Sequence, residues 1–285
     1  MVAPWSPPGQ EPSMTIAYAF RPLLTAGMLA LSLPALAQPS AQTTIREEQV
    51  VKVDGRAEVW RLSWIGPVKP FCGPDSGDDV ITMPCSGFAY GEQGRLVLSR
   101  TLPGGQLDDR LDLSPLFAGS DLTDHEGNAV LPRWPILDED THRLVADDAT
   151  LAAEIRARPP VAVIKLVDYD RDRKAQEFLI QTDVQPGGKR FYVAVGVNRT
   201  TGRLDWLRSA ARPDRPLVLN WAAWQALAKG AQNIDVVRWD CGDHGSEVLE
   251  TYRLSVNAGR IDVRLRTFAC ADAGGNGGLQ QEEPY

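Results

Sequence analysis

Apolar and polar residues alternate in short runs along most of the chain, and turn-forming residues separate these runs. A period of two is typical of strands that bury one face. Strands are therefore predicted at 50–65, 94–100, 161–167, 178–182, 191–197, 203–207, 234–239, 248–256 and 260–268. Asp54-Gly55 and 257–259 predict tight hairpin turns.

Two segments have helical features instead. Residues 148–158 begin at the acidic pair 147–148, either member of which could cap a helix, and end before Pro159-Pro160. Residues 221–229 lie between Asn220 and Gly230. Asp and Asn cap helix starts, whereas Pro and Gly end helices. The sequence thus predicts a mainly β fold, an antiparallel sandwich or curled sheet with two short helices.

The amino-terminal region resembles an export signal. After Met14 come one basic residue, an apolar run at 23–33, and the small-x-small site Ala35-Leu36-Ala37. The run is shorter than the roughly 20 residues that span a bilayer, and no later run approaches that length. We therefore expect 1–37 to be an extension and cleaved signal peptide of a bacterial periplasmic or secreted protein, without a membrane span after cleavage. Residues 38–270 would form one domain, and the glycine-rich 271–285 a flexible tail.

Charge excludes one class of partner. The net charge of −7 argues against nucleic-acid binding, which favours a basic face. Some tryptophans could stack on sugar rings, which makes an envelope glycan or protein the candidate partner, but core packing is the better explanation for most of them. The sequence does not identify the partner.

The four cysteines are Cys72, Cys85, Cys241 and Cys270. An even number in an exported chain predicts two disulfides, for which three pairings exist. We favour the nearest-neighbour pairing because each pair brackets a predicted hairpin. A zinc site of four thiolates is the alternative, but such sites usually contain close pairs such as CxxC, which this chain lacks.

The strongest chemical signal is an acidic run between two predicted strands, DYDRDRKAQE at 168–177. Alternating carboxylates in a tight loop can converge on one cation, and calcium takes six to eight oxygen ligands. The predicted ligands are Asp168, Asp170, Asp172 and Glu177. The alternative is a solvated hairpin tip in which three nearby basic residues pair with the acids, each pair contributing about 0–1 kcal/mol.

This run resembles the DxDxDG calcium loops of EF-hands and, more closely, the β-flanked loops of FG-GAP-type repeats. The resemblance covers about ten residues and implies that Asp168, Asp170 and Asp172 bind calcium. Arg173 stands where those loops have glycine, and Leu179 stands where an EF-hand has its closing glutamate. Glu177 is the residue that could replace that glutamate.

A second cluster, WDCGDHGSE at 239–247, contains the residue types of a hydrolytic triad: Asp243, His244 and Ser246. Near neighbours in sequence seldom form a triad, and the serine lacks the GxSxG context. A turn beside a disulfide is the simpler interpretation. No catalytic residue is identified, and His244 is the candidate to test first.

Other acidic and histidine-containing segments are less specific. These are the segment 124–126 with His125, the residue His142, and the segment 138–140. The last of them could supply one carboxylate of a glycosidase pair. The sequence as a whole favours an exported envelope binding or structural module with a calcium-stabilised acidic hairpin loop. A hydrolase with a site around His244 is the alternative.

Overall fold

The computed structural model describes residues 42–73, 85, 90–102, 104–119, 128–145, 150–271 and 276–285. The predicted signal peptide and the segment around His125 lie outside these residues. Among the described residues, no helix combines the length and apolar character needed to cross a membrane.

In the described part of the chain, the strands form three antiparallel sheets. The first sheet contains β1 (Thr43–Val53), β2 (Arg56–Phe71), β3 (Gly91–Thr101), β4 (Leu107–Asp112) and β5 (Ala129–Pro132). The second contains β6 (Glu177–Gln185), β7 (Lys189–Val197), β8 (Leu204–Trp206) and β9 (Val218–Asn220). The third contains β10 (Gln232–Trp239), β11 (Val248–Asn257), β12 (Arg260–Cys270) and β13 (Asn276–Pro284). The prediction of a mainly β, antiparallel fold is confirmed.

The second sheet is buried on both faces. Alternate residues of β7 belong to different apolar clusters: Val193 and Val195 pack toward the first sheet, and Ala194 packs toward the third. The first cluster is centred on Trp60 and Phe178, whose rings lie 6.4 Å apart. Each large apolar side chain buried in this way stabilises the fold by about 1.5–3 kcal/mol.

Three short helices occur in the described residues: α1 (Thr141–Val145), α2 (Leu151–Arg156) and α3 (Trp221–Ala228). The predicted cap of α3 is confirmed, because the side chain of Asn220 accepts a hydrogen bond from the N–H of Ala223 at 2.9 Å. Helix α1 lies outside the two segments for which the sequence predicts helices.

Two predictions of local structure were wrong. Residues 161–166 do not form a strand, because a side chain binds their backbone: the carboxylate of Glu47 accepts hydrogen bonds from the N–H groups of Val163 and Ile164 at 2.7 and 3.1 Å. The expected flexible tail instead contains β13, which pairs with the edge of β12. An ion pair of 3.0 Å between Arg264 and Glu282 supports that pairing, and the ring of Tyr285 packs 5.1 Å from that of Tyr252.

Both disulfides have the nearest-neighbour pairing, Cys72–Cys85 and Cys241–Cys270. The described residues contain no free cysteine, so the alternative zinc site is excluded. Each bridge restricts the unfolded chain and stabilises the fold by about 3 kcal/mol. Two disulfides are typical of a protein from an oxidising compartment.

A buried polar network joins the first sheet to the second. The carboxylate of Asp109 on β4 accepts hydrogen bonds from Arg203, at 3.1 Å, and from the backbone N–H of Leu204. Arg100 on β3 lies 3.6 Å from Asp109 and 3.4 Å from Glu58. Buried charges of this kind are stable only when they are paired.

Candidate metal centre

The acidic loop starts and ends at a backbone bridge. The N–H of Val167 donates to the carbonyl of Glu177 at 2.8 Å, and the N–H of Glu177 donates back to Val167 at 3.3 Å. This bridge closes the loop and places Asp168 beside Glu177, the first residue of β6. The two ends of the predicted ligand set are therefore neighbours in space.

Carboxylates bonded to the backbone shape the loop. Asp170 Oδ1 accepts from the N–H of Asp172 at 3.0 Å, and Asp168 Oδ2 accepts from the N–H of Arg173 at 3.0 Å. Arg171 and Arg173 adopt left-handed conformations, with φ of 59° and 77°. The turn at Arg173 therefore forms without the glycine found in calcium loops, at a cost of about 1–2 kcal/mol.

Three of the four predicted ligands come together. Carboxylate oxygens of Asp168, Asp170 and Glu177 lie within 4.8 Å of one another. Asp170 is 5% exposed and Glu177 is 3% exposed. Asp168 Oδ1 is buried and has no hydrogen-bond partner among the described residues. A buried oxygen of this kind carries a desolvation penalty that a cation would offset.

Asp172 does not belong to this acidic triad of Asp168, Asp170 and Glu177. Its Oδ1 accepts a hydrogen bond from the N–H of Lys174 at 2.9 Å. Its role is to shape the loop, and its charge adds to the potential at the triad. The structure therefore separates Asp172 from the other three predicted ligands.

Burial is the main cause of the raised pKa values of Glu177 and Asp170 in the triad. It raises the pKa of Glu177 to about 9, and the charge of Asp170 adds to the effect. Burial also raises the pKa of Asp170 to about 6, with further contributions from the charges of Asp172 and Asp168. Without a cation, the triad therefore holds at least one proton at neutral pH.

Two of the three basic residues of the loop bind partners outside it. Lys174 forms an ion pair of 2.5 Å with Asp54 in the turn between β1 and β2, and Arg171 donates to the carbonyl of Ala228 at 3.1 Å. In the part of the chain that the structure describes, no ion pair joins Arg171, Arg173 or Lys174 to the triad. The alternative of a hairpin tip neutralised by internal Asp–Arg pairs therefore finds no support.

The spacing of the triad suits an oxygen-binding cation. Calcium–oxygen bonds are about 2.3–2.6 Å long, so two oxygens on opposite sides of one ion are about 4.6–5.2 Å apart. The three oxygens lie within that limit. Carboxylates also favour calcium, magnesium or manganese over zinc, which prefers nitrogen and sulfur ligands.

The candidate hydrolytic residues are not arranged as a triad. His244 lies in the turn Asp243–Gly245, its side chain is 48% exposed, and its Nε2 is 3.5 Å from Asp243 Oδ1. Asp243 forms an ion pair with Lys189, and the hydroxyl of Ser246 donates to the carbonyl of Val248 at 2.8 Å. The serine is thus engaged with backbone and not with the histidine.

The remaining candidates have structural contacts. Asp140 is buried and bonds Arg158 at 2.8 Å, an interaction that lowers the pKa of the carboxyl group. His142 is exposed on α1. Trp224 is fully buried, and its indole N–H donates to the carbonyl of Tyr192 at 3.0 Å, as core packing requires. Trp221 is 54% exposed beside Tyr192.

Two contributors to the site were not predicted. Tyr169 lies between two of the acids in sequence, is buried, and packs edge-on against Trp224 at 5.4 Å. Gly196 faces Glu177 across the sheet, where a Cβ would overlap the carbonyl oxygen of Gln176. The lack of a side chain at Gly196 therefore lets β7 approach the backbone of Gln176 and Glu177 closely, and only the strand pairing reveals this.

Comparison with known proteins assigns no family to this fold: no protein-family model matches the chain, and no curated protein or solved structure matches it.

Proposed function

We propose that the protein is an exported binding or structural module of the cell envelope, in which the loop 168–177 holds a calcium ion that braces the fold. The observation that carries this proposal is the convergence of Asp168, Asp170 and Glu177 within 4.8 Å, with one buried oxygen that has no partner among the described residues. Carboxylates that share one small buried space favour a divalent cation because its charge offsets their mutual repulsion.

Calcium fits the chemistry better than magnesium. Magnesium needs a near-ideal octahedron at about 2.0–2.1 Å and retains several waters, whereas calcium accepts irregular sets of oxygens. The triad is mostly buried, and the loop holds two of its acids by backbone hydrogen bonds, which limits rearrangement. Backbone carbonyls and water would supply the remaining oxygens.

The position of the loop supports a bracing role. The carbonyl of Asp170 accepts from the N–H of Gly259 at 2.8 Å, in the turn between β11 and β12 of the third sheet. Lys174 pairs with Asp54 of the first sheet, and Glu177 begins β6 of the second. A cation at the triad would therefore fix the loop where it contacts all three sheets.

The extracytoplasmic location belongs to the same proposal. It is supported by the signal-like amino-terminal sequence and by the two disulfides. The hydrolase alternative gains no support from the contacts of His244 and Ser246, so we do not propose it.

Thermal unfolding with calcium or with chelator tests the proposal. At about 100 times its Kd, an ion stabilises the folded state by about 2.7 kcal/mol. For a domain of this size, that raises Tm by about 5–10 °C. We expect wild type to show this shift, and D168N and E177Q to lose it.

The matched control is D172N, which removes one negative charge from the same loop outside the triad. Its amide oxygen can still accept from the N–H of Lys174, and we expect most of the calcium shift to remain. No shift of wild type at millimolar calcium, or equal loss in D172N and E177Q, would contradict the proposed site.

A further inference from the structure

A small cavity lies far along the chain from the acidic loop, between the segment 209–218 and the end of β13. Its volume is about 150 Å³, and its lining includes Ser209, Arg212, Arg215, Leu217, Val218 and Tyr285. Drug-sized sites usually measure about 300–1,000 Å³, so this cavity suits a fragment-sized molecule. Neither the predicted metal site nor the disulfides contribute a residue to it.

A buried hydroxyl group lies in the lining of the cavity. Ser209 is 2% exposed, and its Oγ accepts hydrogen bonds from the N–H groups of Val263 and Ala211 at 3.3 and 3.4 Å. The hydroxyl proton has no acceptor among the described residues. A serine hydroxyl is one donor as well as an acceptor, so a ligand oxygen in the cavity could take that proton.

Two arginines, Arg212 and Arg215, give the lining of the cavity a positive charge. Arg215 lies 5.3 Å from the ring of Tyr285, and no carboxylate of the described residues forms an ion pair with it. Arg212 forms only an exposed, long pair with Asp214, at 3.3 Å. Exposed pairs of this kind contribute little, so Arg212 can turn to a ligand at small cost.

The remaining walls are apolar. Leu217 is buried and Val218 is half-buried, and Tyr285, whose ring lies 5.3 Å from the guanidinium of Arg215, also lines the cavity. These walls favour a ligand with an apolar body, and they disfavour a strongly hydrated dianion such as phosphate, which would lose its water without enough donors. A carboxylate also matches the planar fork of a guanidinium group.

From these contacts we propose that the cavity is a binding site for a small monocarboxylate with a short apolar body, whose carboxylate meets Arg215 and the hydroxyl of Ser209. The apolar body would lie against Leu217, Val218 and the ring of Tyr285. This inference does not depend on the calcium proposal, since the two sites share no residue.

The test is a titration of the full chain with sodium butyrate, followed in ¹H–¹⁵N spectra at constant ionic strength. We expect saturable shifts of the amides of residues 209–218 and 285 at millimolar butyrate. Arg215→Gln should weaken binding at least about tenfold, because it removes a charge-assisted hydrogen bond. Ser209→Ala should weaken it less.

The control variant is Arg253→Gln. It removes the same charge from the exposed face of the third sheet, where Arg253 pairs with Asp235 at 3.4 Å, and it should bind butyrate like wild type. Control ligands are n-butylamine and inorganic phosphate, and neither should saturate the site. Equal binding of butyrate and butylamine, preferential binding of phosphate, or unchanged binding by R215Q would overturn the proposal. If Ser209→Ala fails to fold, R215Q alone decides.

Discussion

The high pKa of Glu177 predicts an unusual pH dependence of stability in the absence of metal. Burial raises this pKa from its ordinary value of 4.5 to about 9. Between those values the folded protein binds a proton that the unfolded chain has released. The contribution of Glu177 to the free energy of unfolding is therefore full below pH 4.5 and is lost as the pH rises to 9. Asp170 contributes to the free energy of unfolding in the same direction, and its contribution is lost as the pH rises to about 6.

The size of the effect follows from linkage. One proton of difference changes the free energy of unfolding by about 1.4 kcal/mol for each pH unit. Glu177 alone therefore predicts a loss of about 4 kcal/mol between pH 5 and pH 8. This is an upper bound, because local opening of the loop would hydrate the carboxylate at a lower cost.

The assay is urea unfolding at pH 5, 6, 7 and 8 in the presence of chelator. E177Q should show a flatter dependence and should be more stable than wild type at pH 8, because the amide carries no charge and its oxygen can still accept from the N–H of Tyr169. D172N should keep the slope of wild type, and calcium at pH 8 should restore much of the lost stability of wild type. Equal slopes for wild type and E177Q would refute the reasoning.

Three further predictions concern the framework. Replacing both Cys241 and Cys270 with serine should lower the free energy of unfolding by about 3 kcal/mol, and guanidinium unfolding showing no loss would contradict this. Asp109→Ala should cost about 3–5 kcal/mol in the same assay, because it breaks the buried network between the first and second sheets. Trp224→Ala should cost about 3–5 kcal/mol, whereas Trp221→Ala, at a site that is 54% exposed, should cost less than about 1 kcal/mol. Equal Tm values for the two tryptophan variants would contradict the assignment of core and surface.

Features that depend on nearby residues could be predicted from the sequence. The hairpin turn at Asp54-Gly55 forms with φ of 48° and 80°, as two-residue hairpins require. The cap at Asn220 is local, and both disulfides join the nearest cysteines in sequence, each pair bracketing one predicted hairpin. Convergence of Asp168 and Asp170 follows from the tight loop itself.

Features that depend on pairing between distant strands could not be predicted. The division into three sheets is set by which strand edges meet, and β13 forms because β12 offers it an edge. The central role of Glu177 depends on its pairing with Gly196, about 20 residues away along the chain. The carboxylate of Asp172 lies outside the triad and accepts from the N–H of Lys174, which the spacing of a sequence motif does not indicate.

Terbium luminescence tests the metal site most directly. Terbium ions occupy calcium sites of carboxylate oxygens and emit when a nearby aromatic ring transfers its excitation energy. Tyr169 lies within the loop, and the ring of Trp224 is 5.4 Å from it. We predict sensitised emission that calcium competes away, that E177Q abolishes and that D172N largely retains. No sensitised emission from wild type, or emission of equal strength from E177Q, would contradict a cation site at Asp168, Asp170 and Glu177.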